Sequence, residues 1–259
     1  MKLAAYYNSW DDWDMLQHSI KNIRPLVDMV IVIISKQSNY YERATGPDGS
    51  AEELEITNVP VWFRQLEPNK SLSVPGNETA KRNAGLQFAR EMGATHALCL
   101  DSDEFYEPEQ FLKVKARIEA ENLDGVVCPC DVFFKSPTLT TGRDVTLVPF
   151  IHKLTPRLMH FFNRSYPFAW INGQIRIDPT RSYNINSGVV YTEDVVMKHM
   201  SWVRKDYEKK IRNSTARHNI ERSSMRNDLK NARAGYYCEF YKSILKEVPD
   251  RFGLNSLFQ

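Results

Sequence analysis

The eight residues 27–34, VDMVIVII, constrain this chain more than any other stretch. A strand with one wet face alternates apolar and polar residues. A nearly unbroken β-branched run is buried on both faces, the habit of a strand inside a parallel sheet covered by helices. The preceding residues agree. Residues 2–7 (KLAAYY) read as a strand. Asp11 or Asp12 can cap a helix running to about Asn22, with Trp13, Leu16, Ile20 and Ile23 near helical spacing. Strand, helix and buried strand in that order make a βαβ unit.

The alternation continues downstream. Residues 36–52 are polar, contain Gly-Pro-Asp-Gly and read as a loop; 59–66 is a further strand. Asn77 is the expected N-cap of a helix, ETAKRNAGLQFAREMG, with Ala80, Ala84, Phe88 and Met92 on one stripe and Gly93 at the stop. THALCL is a second buried strand, DSDEFY follows at its carboxyl end, 108–121 is a helix with Pro in its first turn, and GVVCPCDVFF is the next strand. Residues 135–190, rich in aromatics, Pro, Gly and Asn, are expected to hold short strands at best and to wall one side of a site. Residues 193–200 are a short element. Helical spacing resumes after Trp202 through Val203, Tyr207 and Ile211, and 252–259 is a docking tail. The expected fold class is α/β: a single Rossmann-like domain over 1–200 with a mostly parallel central sheet and flanking helices, followed by a basic C-terminal helical extension, 201–259, packed on it.

Composition sets limits. Of 259 residues, 42% are hydrophobic and 25% charged, enough for a substantial core. A net charge of +2 excludes polyanion binding by overall charge, but residues 204–233 hold ten Lys/Arg against four Asp/Glu, an excess of six. Such a run is either a solvated helical face or a contact for phosphates. The longest clean apolar run, 29–34, is too short to span a bilayer. The N-terminus turns polar too soon for a signal peptide. Cys99, Cys128, Cys130 and Cys238 form no disulfide framework or zinc spacing. The chain reads as soluble and cytoplasmic, in which setting the sequons at Asn77, Asn163 and Asn213 carry little meaning.

Chemistry concentrates at Asp101-Ser-Asp103. In open α/β sheets ligands bind beyond the carboxyl ends of the strands, and these residues sit at such an end. Two carboxylates brought to one point suit a hard cation, Mg²⁺ or Mn²⁺, that keeps positions open for substrate phosphates. The alternative is an exposed turn that caps a helix. Lys81 and Arg82, early in the helix before that strand, suit an anion at a helix N-terminus; as ordinary surface charges they would mean nothing. His199, far downstream, is a competent ligand for Mn²⁺. The aromatic run 161–170, with Trp10 and Trp13, is core packing or a stacking platform for a sugar or base.

AYYN, AKRNAGL, LCLDSDEFY and KHMSWVRKD together resemble the family 2 glycosyltransferases and close relatives, which have the GT-A fold, over roughly residues 2–215. The resemblance implies a hexosyl- or pentosyltransferase using a nucleotide-diphosphate sugar, a UDP-sugar first among them, and Mn²⁺ or Mg²⁺. It implies Asp103 as the direct metal ligand, and Asp101 on the donor ribose or on the metal through water. His199 would complete the metal shell, Lys81 and Arg82 would lie near the donor, and Tyr6, Tyr7 and Asn8 would flank the nucleotide base. Two departures stand out. The second strand ends in Ser35-Lys-Gln37 where family members often carry Asp, and the late acidic base motif is indistinct. Glu193 and Asp194, just before His199, and Asp131 are the candidates to deprotonate an acceptor hydroxyl.

The acceptor can be a glycan, a lipid-linked glycan or a hydroxymethylated DNA base, the last held by Arg204, Lys205, Lys209 and Lys210. Outside this class stand a nucleotidyltransferase, against which the glycine-free YYNSWDDWD counts, and a non-catalytic nucleotide-sugar-binding protein, against which intact Asp101, Asp103 and His199 count.

Overall fold

The computed structural model describes residues 1–45, 60–162, 180–184, 188–214, 217, 220 and 223–257. Its centre is the expected βαβ. Strand β1 (Leu3–Ser9) leads into helix α1 (Trp13–Ile23) and strand β2 (Met29–Ile34), with β3 (Val61–Gln65) beyond. Helix α2 (Val74–Glu91) precedes β4 (His96–Asp101). The order 3-2-1-4 is parallel throughout.

The unbroken apolar run has a direct physical cause. Leu3, Ala5, Tyr7, Val30, Val32, Leu98 and Leu100 pack in one cluster, with residues of α1. Their alternate neighbours Ala4, Tyr6, Met29, Ile31, Ile33, Ala97 and Cys99 pack in another, with Leu86 and Ala89 of α2. Period-2 alternation puts apolar side chains on both faces because helices cover both.

Helix α2 begins earlier than the sequence suggested. Its N-cap is Ser73, whose side chain accepts from the Gly76 amide, and Asn77 lies inside the first turns with its side chain tied to Asn69. Pro75 near the start fits, since proline costs nothing where the amide has no helical partner. Asn77 is buried, so a sequon there is closed to modification.

Strand β4 ends at Asp101 and a tight turn starts the two-residue strand β5 (Glu104–Phe105), followed by helix α3 (Pro108–Glu121) and strand β6 (Gly125–Phe134). The main difference comes next. The 135–190 segment contains β7 (Leu139–Lys153), a 15-residue strand antiparallel to β6 and β4, where only short strands were expected. Gly142 and Pro149 mask its pattern in the sequence. The β6–β7 register shifts between Gly125 and Val127, between Pro129 and Asp131, and between Val132 and Phe133. Irregularities of this kind let a sheet carry prolines. Strand β8 (Val189–Tyr191) adds to β6. The Gly-Pro-Asp-Gly turn and the aromatic run from residue 163 onward, with its sequon, lie outside the described residues.

Strand β9 (Met197–Trp202) lies between β6 and β5, so Trp202 ends a strand and the 200/201 boundary falls within it. The next helix, α4 (Tyr207–Asn213), starts only where Asp206 caps the Lys209 amide at 2.8 Å. Helix α5 (Met225–Asn231) follows, then the short strands β10 (Tyr237–Cys238), β11 (Ser243–Ile244) and β12 (Lys246–Glu247). Ile211, Met225 and Leu229 share a core with Phe134 and Leu139 of the sheet, and Leu254 of the final turn is buried against Phe105 and Met200. Among the described residues no helix is long and apolar enough to cross a membrane.

Candidate active site

Four consecutive residues at the β4–β5 turn are each held by side chains from elsewhere in the chain, and Asp101 and Glu104 share Arg181. Asp101 faces the guanidinium groups of Arg82, at 3.2 Å, and Arg181. Ser102 donates to Asp12, which also accepts from Ser9 at 2.6 Å. Asp103 accepts on Oδ2 from Arg204 at 2.5 Å and Lys210 at 3.0 Å, while its Oδ1 stands 3.6 Å from His199 Nε2. Glu104 accepts from both terminal nitrogens of Arg181, one of them at 2.9 Å.

These side chains converge because three chain segments reach one strand end. The β5–β9 register sets Glu104 opposite His199, and the Met200 amide donates to the Asp103 carbonyl at 2.7 Å. Helix α2 brings Arg82 across from Cys99 and Asp101; its guanidinium is fully enclosed, also donating to Glu78 at 2.8 Å.

The electrostatics follow from burial opposed by charge. Burial alone would raise the Asp101 and Asp103 pKa values. Arg181 and Arg82 at Asp101, and Lys210, Arg204 and His199 at Asp103, outweigh it and hold both far below the carboxylate range. Glu104 goes the other way, its pKa raised by burial despite Arg181. Burial would lower His199, but its neighbour Asp103 raises it instead. Lys81, 4% exposed and 3.5 Å from the Ser9 carbonyl, is pushed down to about 8 by burial.

A cation suits part of this cluster. Ligand atoms of Asp103, Glu104 and His199 lie within 4.8 Å of one another. Glu104 has both oxygens engaged by Arg181. Asp103 Oδ1 is buried without a hydrogen-bond partner among the described residues, and its 3.6 Å from His199 Nε2 is too long for a hydrogen bond. It is a spacing that two ligands of one ion adopt when each bond is about 2.0–2.2 Å. The pair Asp103 and His199 fits an Mn²⁺ or Mg²⁺ ion; Asp101, turned to its two arginines, lies outside the group of three.

The other expected residues are placed as follows. Tyr6 and Tyr7 are enclosed in the two cores, Tyr6 bonded to His160 and Tyr183, and Tyr7 to Ser19. Asn8 sits at the end of β1, paired with Asp101, and is partly exposed. Trp13 is core, packed on Phe63; Trp10 lies under Lys209, whose Nζ is 5.4 Å from the ring centroid. Asp131 is held by Lys198 at 2.7 Å and Arg143 at 3.1 Å, and its register position puts it on the sheet face opposite His199. Asp194 pairs with Lys113 at 2.7 Å, and Glu193 accepts from Tyr191. Among the described residues, none of these three acids contacts the Asp101–Glu104 turn. Of the cations named for DNA, Arg204 and Lys210 point to Asp103, and Lys209 to Asp11.

Sequence reading missed Glu104, Arg181, Asp12 and Ser102. Glu104 and Ser102 lay in the quoted motif itself and could have been weighed there. Arg181 gives no local signal, because its partners are some eighty residues away.

Sheet order, the acidic turn at the end of β4 and the late histidine together define a GT-A-like α/β fold. Residues 1–349 of S. aureus TarS superpose on it with a TM-score of 0.50 at 14% identity, over 90% of this chain and 76% of that one. The same segment in complex with UDP gives 0.48 at 13%, over 90% and 76%, and in complex with UDP-GlcNAc 0.39 at 17%, over 51% and 35%. The first likeness shows the fold. No family model and no curated protein matches the chain.

Proposed function

We propose that this protein transfers a sugar from a nucleotide-diphosphate sugar, a UDP-sugar, to an acceptor hydroxyl, with Mn²⁺ or Mg²⁺ held by Asp103 and His199. The observation that carries the proposal is the buried, unpartnered Asp103 Oδ1 facing His199 at the carboxyl end of a parallel strand. The TarS segment that shares the fold has been crystallised with UDP and with UDP-GlcNAc, which is the donor class proposed.

A divalent ion held by Asp103 and His199 would supply positive charge that offsets the charge of a departing diphosphate. The chain's own residues do the rest. Arg82 and Arg181 fix Asp101, which faces the donor side at the end of β4 beside Asn8. Arg204 and Lys210 add cationic groups where negative charge develops, and such groups favour the transition state over the ground state. Asp131, Glu193 and Asp194 are committed to other partners, so the mechanism assigns the acceptor proton to none of them.

Thermal denaturation with nucleotides tests the proposal. A ligand at a hundred times its Kd adds about 2.7 kcal/mol to folding stability. UDP with Mn²⁺ should raise Tm in the wild type, and Asp103→Asn or His199→Ala should remove the Mn²⁺-dependent part. No rise with any nucleoside diphosphate, with or without Mn²⁺, overturns it.

A further inference from the structure

We propose that Arg204 and Lys210 are ligands for the donor's diphosphate and rest on Asp103 while the donor is absent. This rests on the donor reading above and adds the residues that hold the leaving group and their exchange with the metal.

The charge balance at Asp103 is uneven. One carboxylate oxygen, Oδ2, accepts from Arg204 at 2.5 Å and from Lys210 at 3.0 Å. One carboxylate oxygen thus holds two cations at once. The exposures are uneven in the same sense. The Asp103 side chain is 1% exposed, whereas Arg204 is 19% and Lys210 is 26%. The cations reach the acid from the solvent side, and their outer faces can take an incoming anion.

The other cations of the cluster cannot do this. Arg82 is enclosed between Glu78, Cys99 and Asp101, and Arg181 between Asp101 and Glu104. Lys81 is 4% exposed behind the β1 end. Nor is the Asp103 contact what holds α4 in place. Lys209 pairs with Asp11 and donates to Thr45 at 2.7 Å, and Asn213 donates to Glu42 at 2.8 Å. Arg204 and Lys210 can turn from Asp103 to a ligand while these anchors keep the helix docked.

A diphosphate brings at least two negative charges and several acceptor oxygens, and charge-assisted bonds to phosphate are strong for both side chains. As it draws Arg204 and Lys210 away, Asp103 Oδ2 is freed beside Oδ1 and His199. The carboxylate then has both oxygens for a divalent cation. Diphosphate and metal therefore assist one another's binding, and the coupling is reciprocal.

The experiment compares wild type with an Arg204→Gln/Lys210→Met variant, and with Lys210→Met alone should the double variant fail to fold. Calorimetry measures UDP and uridine binding in EDTA, and electron paramagnetic resonance measures Mn²⁺ binding without nucleotide. We expect wild type to bind UDP more tightly than uridine in EDTA. Each lost cation should reduce that preference roughly tenfold, with uridine affinity unchanged. Mn²⁺ without nucleotide should bind the variant more tightly, because its competitors on Asp103 are gone. A variant that keeps the UDP preference, or binds Mn²⁺ less tightly, overturns the proposal while leaving the donor reading intact. A wild type that binds no UDP with or without Mn²⁺ overturns the donor reading, and this proposal with it.

Discussion

Arg181 stands between two carboxylates that burial would otherwise penalise, Asp101 and Glu104, and its own side chain is 4% exposed. Removing one partner of a buried pair leaves the other uncompensated, at a cost of about 3–5 kcal/mol. Arg181→Met is expected to lower the unfolding free energy measured in urea by that amount with the slope unchanged, and Arg181→Lys to recover only part of it, since an ammonium lacks the fork that serves two acids. An unfolding free energy within about 1 kcal/mol of wild type would show that the two acids are solvated, not clamped. Residues at this scale were legible in proportion to how locally they act. Asp101 and Asp103 stood out because a buried strand delivered them to a sheet end. His199 stood out less, and Arg181 not at all, because a lone arginine in a polar stretch carries no periodic mark. Arg204 and Lys210 were noticed only as part of a charge excess and as candidate contacts for DNA. Lys210 turns inward on a helix, α4, that is anchored to Asp11 and Glu42, and Arg204 just before it is tied to the Ser201 carbonyl, which no spacing reveals.

Among the elements, α2 shows why one short motif was informative. A Cβ on Gly85, in RNAGL, would come within 2.5 Å of the Tyr6 ring, so the helix lies against β1 at a distance only glycine allows. In an open helix, Gly→Ala gains about 1 kcal/mol. Here overpacking reverses the sign, and Gly85→Ala is expected to lose about 1–3 kcal/mol, read as a fall in Tm. An unchanged or raised Tm would mean that Tyr6 yields freely, despite its bonds to His160 and Tyr183. Most elements were visible in the sequence for the same reason that they are stable: two apolar faces for β1, β2 and β4, and a bounded helix for α3. Strand β7 was not, because its one proline, Pro149, and its glycine, Gly142, break the alternation, while the β6–β7 pairing tolerates an irregular register. Helix α2 was found but started late, since Asn77 is as good a capping residue as Ser73 on sequence grounds.

Acid probes the molecule as a whole. His152 and His160 are each 1% exposed, and burial drives both pKa values down, His152 to about 3. Each stays neutral in the fold and takes a proton only on unfolding. Their contribution is complete above the unfolded value near 6.5 and is lost below it, approaching about 1.4 kcal/mol per pH unit for each. His199 has a raised folded pKa, so its contribution is complete below about 6.5 and is lost as pH rises through the folded value. Asp101 and Asp103, with depressed values, lose theirs only below about 4. Stability measured by urea between pH 6.5 and 5 should therefore fall with acid, and His152→Gln should make that fall shallower by up to about 1.4 kcal/mol per pH unit. An unchanged slope would show that His152 is not among the groups protonated on unfolding. The grip on the β4–β5 turn also imposes an order in time. Domains grow from the N-terminus during synthesis, and the first four parallel strands are complete once β4 has emerged. Asp103 must then wait a further 101 residues for Arg204 and 107 for Lys210. On the ribosome, the parallel strands can form long before Asp103 meets its two cations, so a chain stalled before residue 204 has that part of the sheet and an Asp103 without Arg204 or Lys210.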